Sequence, residues 1–516
     1  MGIHPLTQLQ WRCPSEITTG LDQLVPEILQ RLVSFATRRG RISTVDAAKA
    51  APPPSPLAPI DLTDHSQVAG VMNLAARIGD ILLSSGTSNS DTKVQIQATT
   101  AAYGLYYCHV DITLNTITIF TNIGVERKTP VSIFRVVHKL DTNFSKLSEV
   151  DRLIRSIQAG ATPPEIAEKI LDDLEQSPAS YGFPTALAGW AAMGGAVAIL
   201  LGGGWAVALM SFVTSGVIIG VATLLSRVGL PQFFQNVAGG FIATMPAAIA
   251  YSLALDYGLE IKPSQIIASG IIVLLAGLTL VQSLQDGITG APVTASARFF
   301  ETLLFTGGIV AGVGLGIQLS GAIGVMLPAL ETATAPNPAS IAVRIVAGGV
   351  TAAAFAVGCY AEWSSVVIAG VTALVGSTIF YFMMSLGAGG VVAAAGAATA
   401  IGFAGGLLAR RFLIPPLIVA IAGITPMLPG LSIYRGMYAA LSEQTLIGFT
   451  NIAVALATAS SLAAGVVFGE WFARKLRRPP RIRPYRALIK ATQFSFQELR
   501  DTENSRRTSR NKYPGR

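Results

Sequence analysis

Residues 176–226 read QSPASYGFPTALAGWAAMGGAVAILLGGGWAVALMSFVTSGVIIGVATLLS, 51 positions without one charged side chain. A bilayer core of about 30 Å needs roughly 20 apolar helical residues, and a core helix of a water-soluble domain does not need so long a charge-free run. The window therefore holds two membrane spans, divided at Gly202, Gly203 and Gly204. Each is expected to be helical, because lipid offers no partner for an unpaired backbone group.

The same criterion applied outward finds one span each in 228–255, 263–285, 302–330 and 345–361. It finds two in 363–409, divided near Gly387–Gly390, and one each in 412–434 and 444–469. The expected fold is an all-α polytopic membrane domain of ten helices with a small soluble α+β N-terminal domain. Composition agrees: 13% of the 516 residues are charged and 51% are apolar, against about 25% charged in an average soluble domain. Mean hydropathy is +0.54.

Ten spans place both chain ends on one side. Residues 474–516 carry 14 Lys/Arg against 3 acids, a net of +11 beside +8 for the whole chain. Such basic flanks stay in the cytoplasm, so a multi-pass inner (cell) membrane protein with both termini cytoplasmic is expected. Arg227, Arg298, Arg410 and Arg411 then fall in inner loops, and Lys262, Arg344 and Arg435 near the outer side. Trp205, Trp363 and Trp471 stand at window edges, where interfacial belts place them.

The amino-terminal part reads differently. Residues 1–65 are a tail closing in the Pro/Ala-rich linker AAKAAPPPSPLAPI. Residues 66–178 read as a cytoplasmic α+β domain. SQVAGVMNLAARIGDILLSS has helical periodicity, SSGTSN is a turn, and Ser88 to Asp91 resembles a capping box opening a helix toward Tyr103. YYCHVDITL and TITIF read as strands, followed by helices near 145–159 and 163–175.

Chemistry-bearing motifs are few. Cys13, Cys108 and Cys359 share no close spacing, so free thiols are expected rather than disulfides or a thiolate metal site. There is no GxSxG, Walker A or HExxH pattern, and neither a cofactor, a metal nor a nucleic-acid partner is indicated. His109 and Asp111, two positions apart along one strand, more plausibly pack or face solvent than hold a metal. With no ATP motor, uphill transport has to draw on an ion gradient or the membrane potential. The four histidines, at 4, 65, 109 and 138, lie outside the spans, so a proton carrier inside the membrane has to be a carboxylate.

An internal repeat is visible. VAGGFIATMP (237–246) is echoed by FAGGLLARRF (403–412), and LLAGLTLVQSLQDG (274–287) by AIAGITPMLPGLSIYRG (420–436). These belong to spans three and four of each set of five, and five is odd. Halves 179–335 and 336–473 are therefore expected as a 5+5 inverted repeat. Spans four and nine run into DGITGAP (286–292) and TPMLPG (425–430), broken stretches in matching positions that point to a binding site. Glycines recur every four residues at Gly308/Gly312/Gly316, Gly216/Gly220 and Gly402/Gly406, a spacing for close helix packing.

Ionisable residues inside spans are costly and usually functional. Asp286, Arg298 and Glu301 surround the first broken stretch, Arg435 and Glu443 the second, and Glu362 marks the boundary of spans six and seven. A zwitterionic substrate needs an anion for its ammonium, cationic or helix-end donors for its carboxylate, and hydroxyls or amides for a polar side chain. Gln282, Ser283, Gln285, Asp286, Thr289, Thr294, Ser296 and Arg298 supply these types, with Thr425 and Arg435 at the second break. The bland alternative for each is a loop residue in the headgroup region.

LAARIGDILLSSGTSNSDTKVQI (74–96), TLNTITIF (113–120), SLQDGITGAPVTASARF (283–299) and IAGITPMLPGLSIYRGMY (421–438) resemble the threonine/serine exporter family of actinobacteria, over about 66–478. The resemblance implies export of L-threonine and L-serine from the cytoplasm, driven by the proton motive force, and a cytoplasmic N-terminal domain with some likeness to hydrolases. It also implies that the first 60 or so residues lie outside the shared region and that translation starts later than Met1. The partners implied are L-threonine, L-serine, protons and the lipid bilayer, with oligomerisation left open. Two alternatives stand beside it: a membrane-anchored hydrolase acting through the N-terminal domain, and an exporter of another small polar metabolite.

Overall fold

The computed structural model describes residues 60–62, 64–123, 129–137, 142–160, 162–177, 179–256, 262–274, 276–325, 327, 338–441 and 444–476. The expected tail and linker before Ile60, the basic tail beyond Leu476, Cys13, His4, His138 and Glu443 lie outside these residues.

The amino-terminal segment begins with α1 (His65–Ser84), whose start is fixed by Asp64 accepting from Ser66 N, and α2 (Asn89–Ala102), where Ser88 Oγ accepts from Asp91 N. Such caps satisfy donors that the first helical turn leaves open, and each is worth about 1 kcal/mol. Strands β1 (His109–Thr113), β2 (Thr116–Ile123) and β3 (Thr129–Val136) form an antiparallel sheet in that order. Leu114, held at φ 54°, turns the first hairpin, so that Thr113 pairs with Thr116. Helices α3 (Phe144–Gln158), capped by Asn143, and α4 (Pro164–Gln176) complete the segment. Met72, Ile78, Ile96, Ile117, Ile119, Phe144 and Ile154 are buried among these elements. Arg77 ties α1 to Asp172 and Glu175 of α4, and Arg135 ties β3 to Asp80.

Sequence periodicity reads two strands here and the structure has three. The missed β3 is an edge strand, most of whose residues are exposed or half-buried, so the apolar alternation that marks a strand is weak there.

Twelve helices follow: α5 (Phe183–Leu200), α6 (Trp205–Arg227), α7 (Gln232–Asp256), α8 (Pro263–Val273), α9 (Ala276–Ile288), α10 (Pro292–Ala322), α11 (Pro338–Gly358), α12 (Trp363–Ser385), α13 (Gly390–Phe412), α14 (Pro416–Ile424), α15 (Gly430–Leu441) and α16 (Thr445–Leu476). Eight of these, α5, α6, α7, α10, α11, α12, α13 and α16, are long and apolar enough to cross a bilayer. The pairs α8/α9 and α14/α15 pass the same test together, bent by 47° and 48°, which raises the number to ten if each pair is one span. The protein is a polytopic membrane protein.

Small residues set the closest helix approaches. Along α10, a Cβ at Gly308 would lie 2.7 Å from Phe233 O of α7, and one at Gly312 would overlap the Val237 carbonyl. Along α13, a Cβ at Gly402 would lie 2.5 Å from Val466 O of α16, while Gly406 faces Ala473. Two further contacts echo each other: Gly194 of α5 lies against Ser215 of α6, and Gly348 of α11 against Ser377 of α12. Gly216 and Gly220 differ. The first meets only Ala191 at ordinary contact distance and the second opens onto free space, so this pair makes no tight seam.

The bend in the fourth candidate span also falls elsewhere than the glycine and proline signals indicate. It lies between Val273 and Gly277, whereas 286–292 closes α9, turns at Gly290 and opens α10 with Pro292. The two bends meet. A Cβ at Gly277 would contact Leu428 and Pro429 at 3.5 and 3.6 Å, and one at Gly430 would overlap the Ile272 side chain.

Candidate functional site at the α9–α10 turn

The turn between α9 and α10 is held by its own hydroxyls: Thr289 donates through N and Oγ1 to Gln285 O, at 3.0 and 2.9 Å. The reversal brings together Asp286 and Arg298, twelve positions apart, with Arg298 Nη1 donating to Asp286 Oδ2 at 2.7 Å. Asp286 is 1% exposed and the Arg298 side chain 11%. A carboxylate so far from water is tolerated only with a partner, and removing one member of such a pair typically costs about 3–5 kcal/mol.

The amino-terminal segment is seated on this turn. Asn89 N donates to Asp286 Oδ1 at 3.4 Å, and Asn89 Nδ2 donates to Thr294 Oγ1 at 2.7 Å. Thr294 Oγ1 also accepts from Leu114 N at 3.1 Å, across the strained hairpin residue. Gly86, at φ 89°, leaves room for Gln282: a Cβ there would stand 3.0 Å from Gln282 Nε2 and would force a backbone angle that L side chains avoid. The turn 84–89 thus rests on 282–298, two stretches quoted separately above as resemblance motifs.

Between them lies a cavity of about 390 Å³, lined by Asn89, Lys93 and Asp111 on one side and Thr289 and Thr294 on the other. Asn89 and Lys93 escaped sequence reasoning, and Asp111 entered it only beside His109 as a metal candidate. Their signal, the polar side chains of SNSDTK and HVDIT, is ordinary for a cap and a surface strand.

A second anchor joins the segment to the bundle. Both Glu362 carboxylate oxygens accept from Arg152 Nη2, at 2.8 and 2.7 Å, and Phe144 N donates to Cys359 O at 2.9 Å. Burial works against the Arg152 cation, but Glu362 and Glu149 outweigh it and hold its pKa above the usual guanidinium value. Tyr181 Oη donates to Val357 O and Ala361 O, and burial pushes its pKa up to about 12. Burial also raises the Cys108 thiol, which with Cys359 is free.

The remaining candidates disperse. Ser283 is buried and donates to Leu280 O of its own helix. Ser296 is exposed and returns to Pro292 O. Glu301 sits partly buried farther along α10. Thr425 is buried at the bend between α14 and α15, donating to Ile421 O at 2.9 Å, and Arg435 lies on α15. His109 stacks on Phe120, and no cluster of three metal-binding side chains exists among the described residues.

Eight apolar helices long enough to cross a bilayer, two bent helix pairs that meet at their bends and a buried ion pair at the α9–α10 turn define a polytopic membrane protein. Comparison with known proteins gives its kind. Family models described as threonine/serine exporter match residues 73–320 and 344–472. The chain is 80% identical over 481 residues to the "Threonine/serine exporter" of Corynebacterium glutamicum, covering 93% of this chain and 98% of that protein. It is 38% identical over 420 residues to the "Probable threonine/serine exporter" of Mycobacterium tuberculosis (strain ATCC 25618 / H37Rv), covering 80% and 78%. No solved structure matches it significantly. The chain belongs to the threonine/serine exporter family.

Proposed function

We propose that this protein is a secondary active exporter of L-threonine and L-serine, carrying them out of the cytoplasm at the expense of the proton motive force. In this reading it sits in the inner membrane with ten spans arranged as a 5+5 inverted repeat. Both termini and a domain of residues 66–178 face the cytoplasm. The names of its relatives support the substrates. The paired approaches Gly194/Ser215 and Gly348/Ser377, and the glycine seams α7/α10 and α13/α16, support the repeat.

The observation that carries the reading is the meeting of the two bends, Gly277 against Leu428 and Pro429, and Gly430 against Ile272. Bends release backbone groups from the helical ladder where lipid cannot partner them, and such groups serve a polar solute at the bundle interior. Asp286 and Arg298, at the end of α9 opposite its bend, are an anion and a cation in contact. A zwitterionic amino acid offers the same two charges, so its ammonium replaces Arg298 at Asp286 while its carboxylate takes Arg298. A proton on Asp286 releases Arg298 by the other route. The two occupants therefore compete for one carboxylate, which is the requirement for exchange. Thr289, Thr294 and Thr425 supply hydroxyls along the path, and Glu362 acts in docking.

The test is efflux of labelled L-threonine from proteoliposomes under an imposed proton gradient. Wild type responds to the gradient and loses the response with a protonophore. Asp286→Asn inserts but loses gradient-driven efflux. Efflux indifferent to the gradient in wild type removes the coupling, and an unaltered response in Asp286→Asn removes that residue from it.

A further inference from the structure

Arg77, Arg135, Arg152, Arg155 and Arg298 each reach a carboxylate. Arg344 of α11 reaches none among the described residues, and its Nε is buried without a hydrogen-bond partner. It stands just inside the apolar stretch Ser340–Gly358, where a cation without a counter-charge is costly and by default marks a site. The stretch 344–358, about 21 Å of helix, separates it from the end of the bundle on which the amino-terminal segment rests.

Three other elements surround its guanidinium. The α5–α6 turn leaves room for it: a Cβ at Gly202, where φ is 90°, would lie 2.7 Å from Arg344 Nη2. Gln265, in the first turn of α8, holds that turn in place by donating through Nε2 to Leu201 O at 3.1 Å. From α12, the Tyr381 hydroxyl accepts a hydrogen bond from Arg344. Each of these partners is neutral, and the carbonyl end of α5 offers only a partial negative charge.

The edge beside this cluster faces lipid. Val343 and Val346 are 56% exposed and Trp205, three residues beyond Gly202, 82%. An arginine near a span end turns its guanidinium toward the headgroups while its stem stays in apolar surroundings, and Trp and Tyr gather at the same level. The planar guanidinium fork matches two oxygens of a phosphate.

We infer that Arg344 and Tyr381 form a binding site for the phosphate of an anionic membrane lipid, between α11, α12 and the α5–α6 turn. The non-bridging oxygens of the phosphodiester take the Arg344 fork, Tyr381 donates its proton to one of them, and the acyl chains lie along Val343 and Val346. The single negative charge of such a lipid cancels the cation, whereas a zwitterionic lipid brings its own ammonium to the same place. The site needs only that the chain crosses a bilayer, not that it carries a particular solute.

Native mass spectrometry of the full chain, released from nanodiscs of phosphatidylcholine with a minor share of phosphatidylglycerol, counts the lipids that stay bound. One phosphatidylglycerol is expected to persist. In detergent, short-chain phosphatidylglycerol should raise the melting temperature at concentrations about tenfold below those of phosphatidylcholine, and Arg344→Gln should cost about tenfold in half-saturation, the factor of one charge-assisted contact. Arg227→Gln, at an exposed arginine ending α6, should leave it unchanged. Arg344→Lys keeps the charge without the fork, so it should still prefer phosphatidylglycerol while binding it more weakly, and it carries the test if the glutamine variant fails to insert. Equal binding of the two lipids by wild type, or an Arg344→Gln variant indistinguishable from wild type, overturns the site. Inorganic phosphate acting at the same concentrations as phosphatidylglycerol overturns the lipid as its occupant.

Discussion

Asn89 Nδ2 donates to Thr294 Oγ1 at 2.7 Å, joining the first residue of α2 to the first turn of α10 across 205 positions of sequence. The same hydroxyl oxygen accepts from Leu114 N, so one threonine holds both a helix start and a hairpin tip. Thr294→Val leaves those two donors without this acceptor at a buried site, and the expected loss is about 1–3 kcal/mol. Hydrogen exchange should quicken at the Leu114 amide and in the first turn of α2, and Thr294→Ser should restore protection. Unaltered exchange in the valine variant would mean that the contact holds nothing.

The second anchor is of a weaker kind. Arg152 and Glu362 are partly exposed, so their pairing is expected to contribute only about 0.5–1 kcal/mol, screened by salt. A double-mutant cycle with Arg152→Ala and Glu362→Ala, read from thermal unfolding at low and high ionic strength, measures it. A coupling that ignores salt would contradict the surface character of the pair.

Gly312 and Gly220 make a matched pair of substitutions. Gly312→Ala places its methyl into the Val237 carbonyl and should destabilise the α7–α10 contact by about 1–3 kcal/mol. Gly220→Ala meets nothing within 4 Å and should be neutral or mildly stabilising. Melting temperatures in detergent that fall equally for both would refute the seam.

The Tyr181 pKa rises from 10.0 to about 12, first because the hydroxyl is buried and then because of Cys359 and Tyr360. An acid whose pKa is higher folded than unfolded keeps its proton longer in the folded state. Its stabilisation is complete below pH 10 and lost as pH rises to about 12. Thermal unfolding should therefore show wild type losing its advantage over Tyr181→Phe across that window. A constant difference from pH 8 to 12 would show that the hydroxyl does not titrate in this way.

Much of this architecture belongs to contiguous stretches. Charge-free runs mark the spans, as the end of α6 at Arg227 illustrates, because the cost of a charge in lipid is paid locally. Ser88 marks the start of α2 for an equally local reason, a side chain reaching a backbone donor three residues on. The Asp286 and Arg298 pairing was within reach too, since both flank one turn.

Other features have no local signal. The fourth candidate span bends between Val273 and Gly277, and Gly277 faces Leu428 and Pro429 in the break between α14 and α15; it does not bend at the glycines and proline of 286–292. Lys93 and Asp111 are unremarkable on their own elements and share a cavity only because α2 and β1 are folded onto the α9–α10 turn. The sequence by itself determined which segments are apolar enough to cross a bilayer and where helices start, since hydropathy and capping act over a few neighbouring residues. Only the tertiary structure decided which polar groups face one another, because burial and Coulomb attraction depend on distance in space, which no spacing along the chain records.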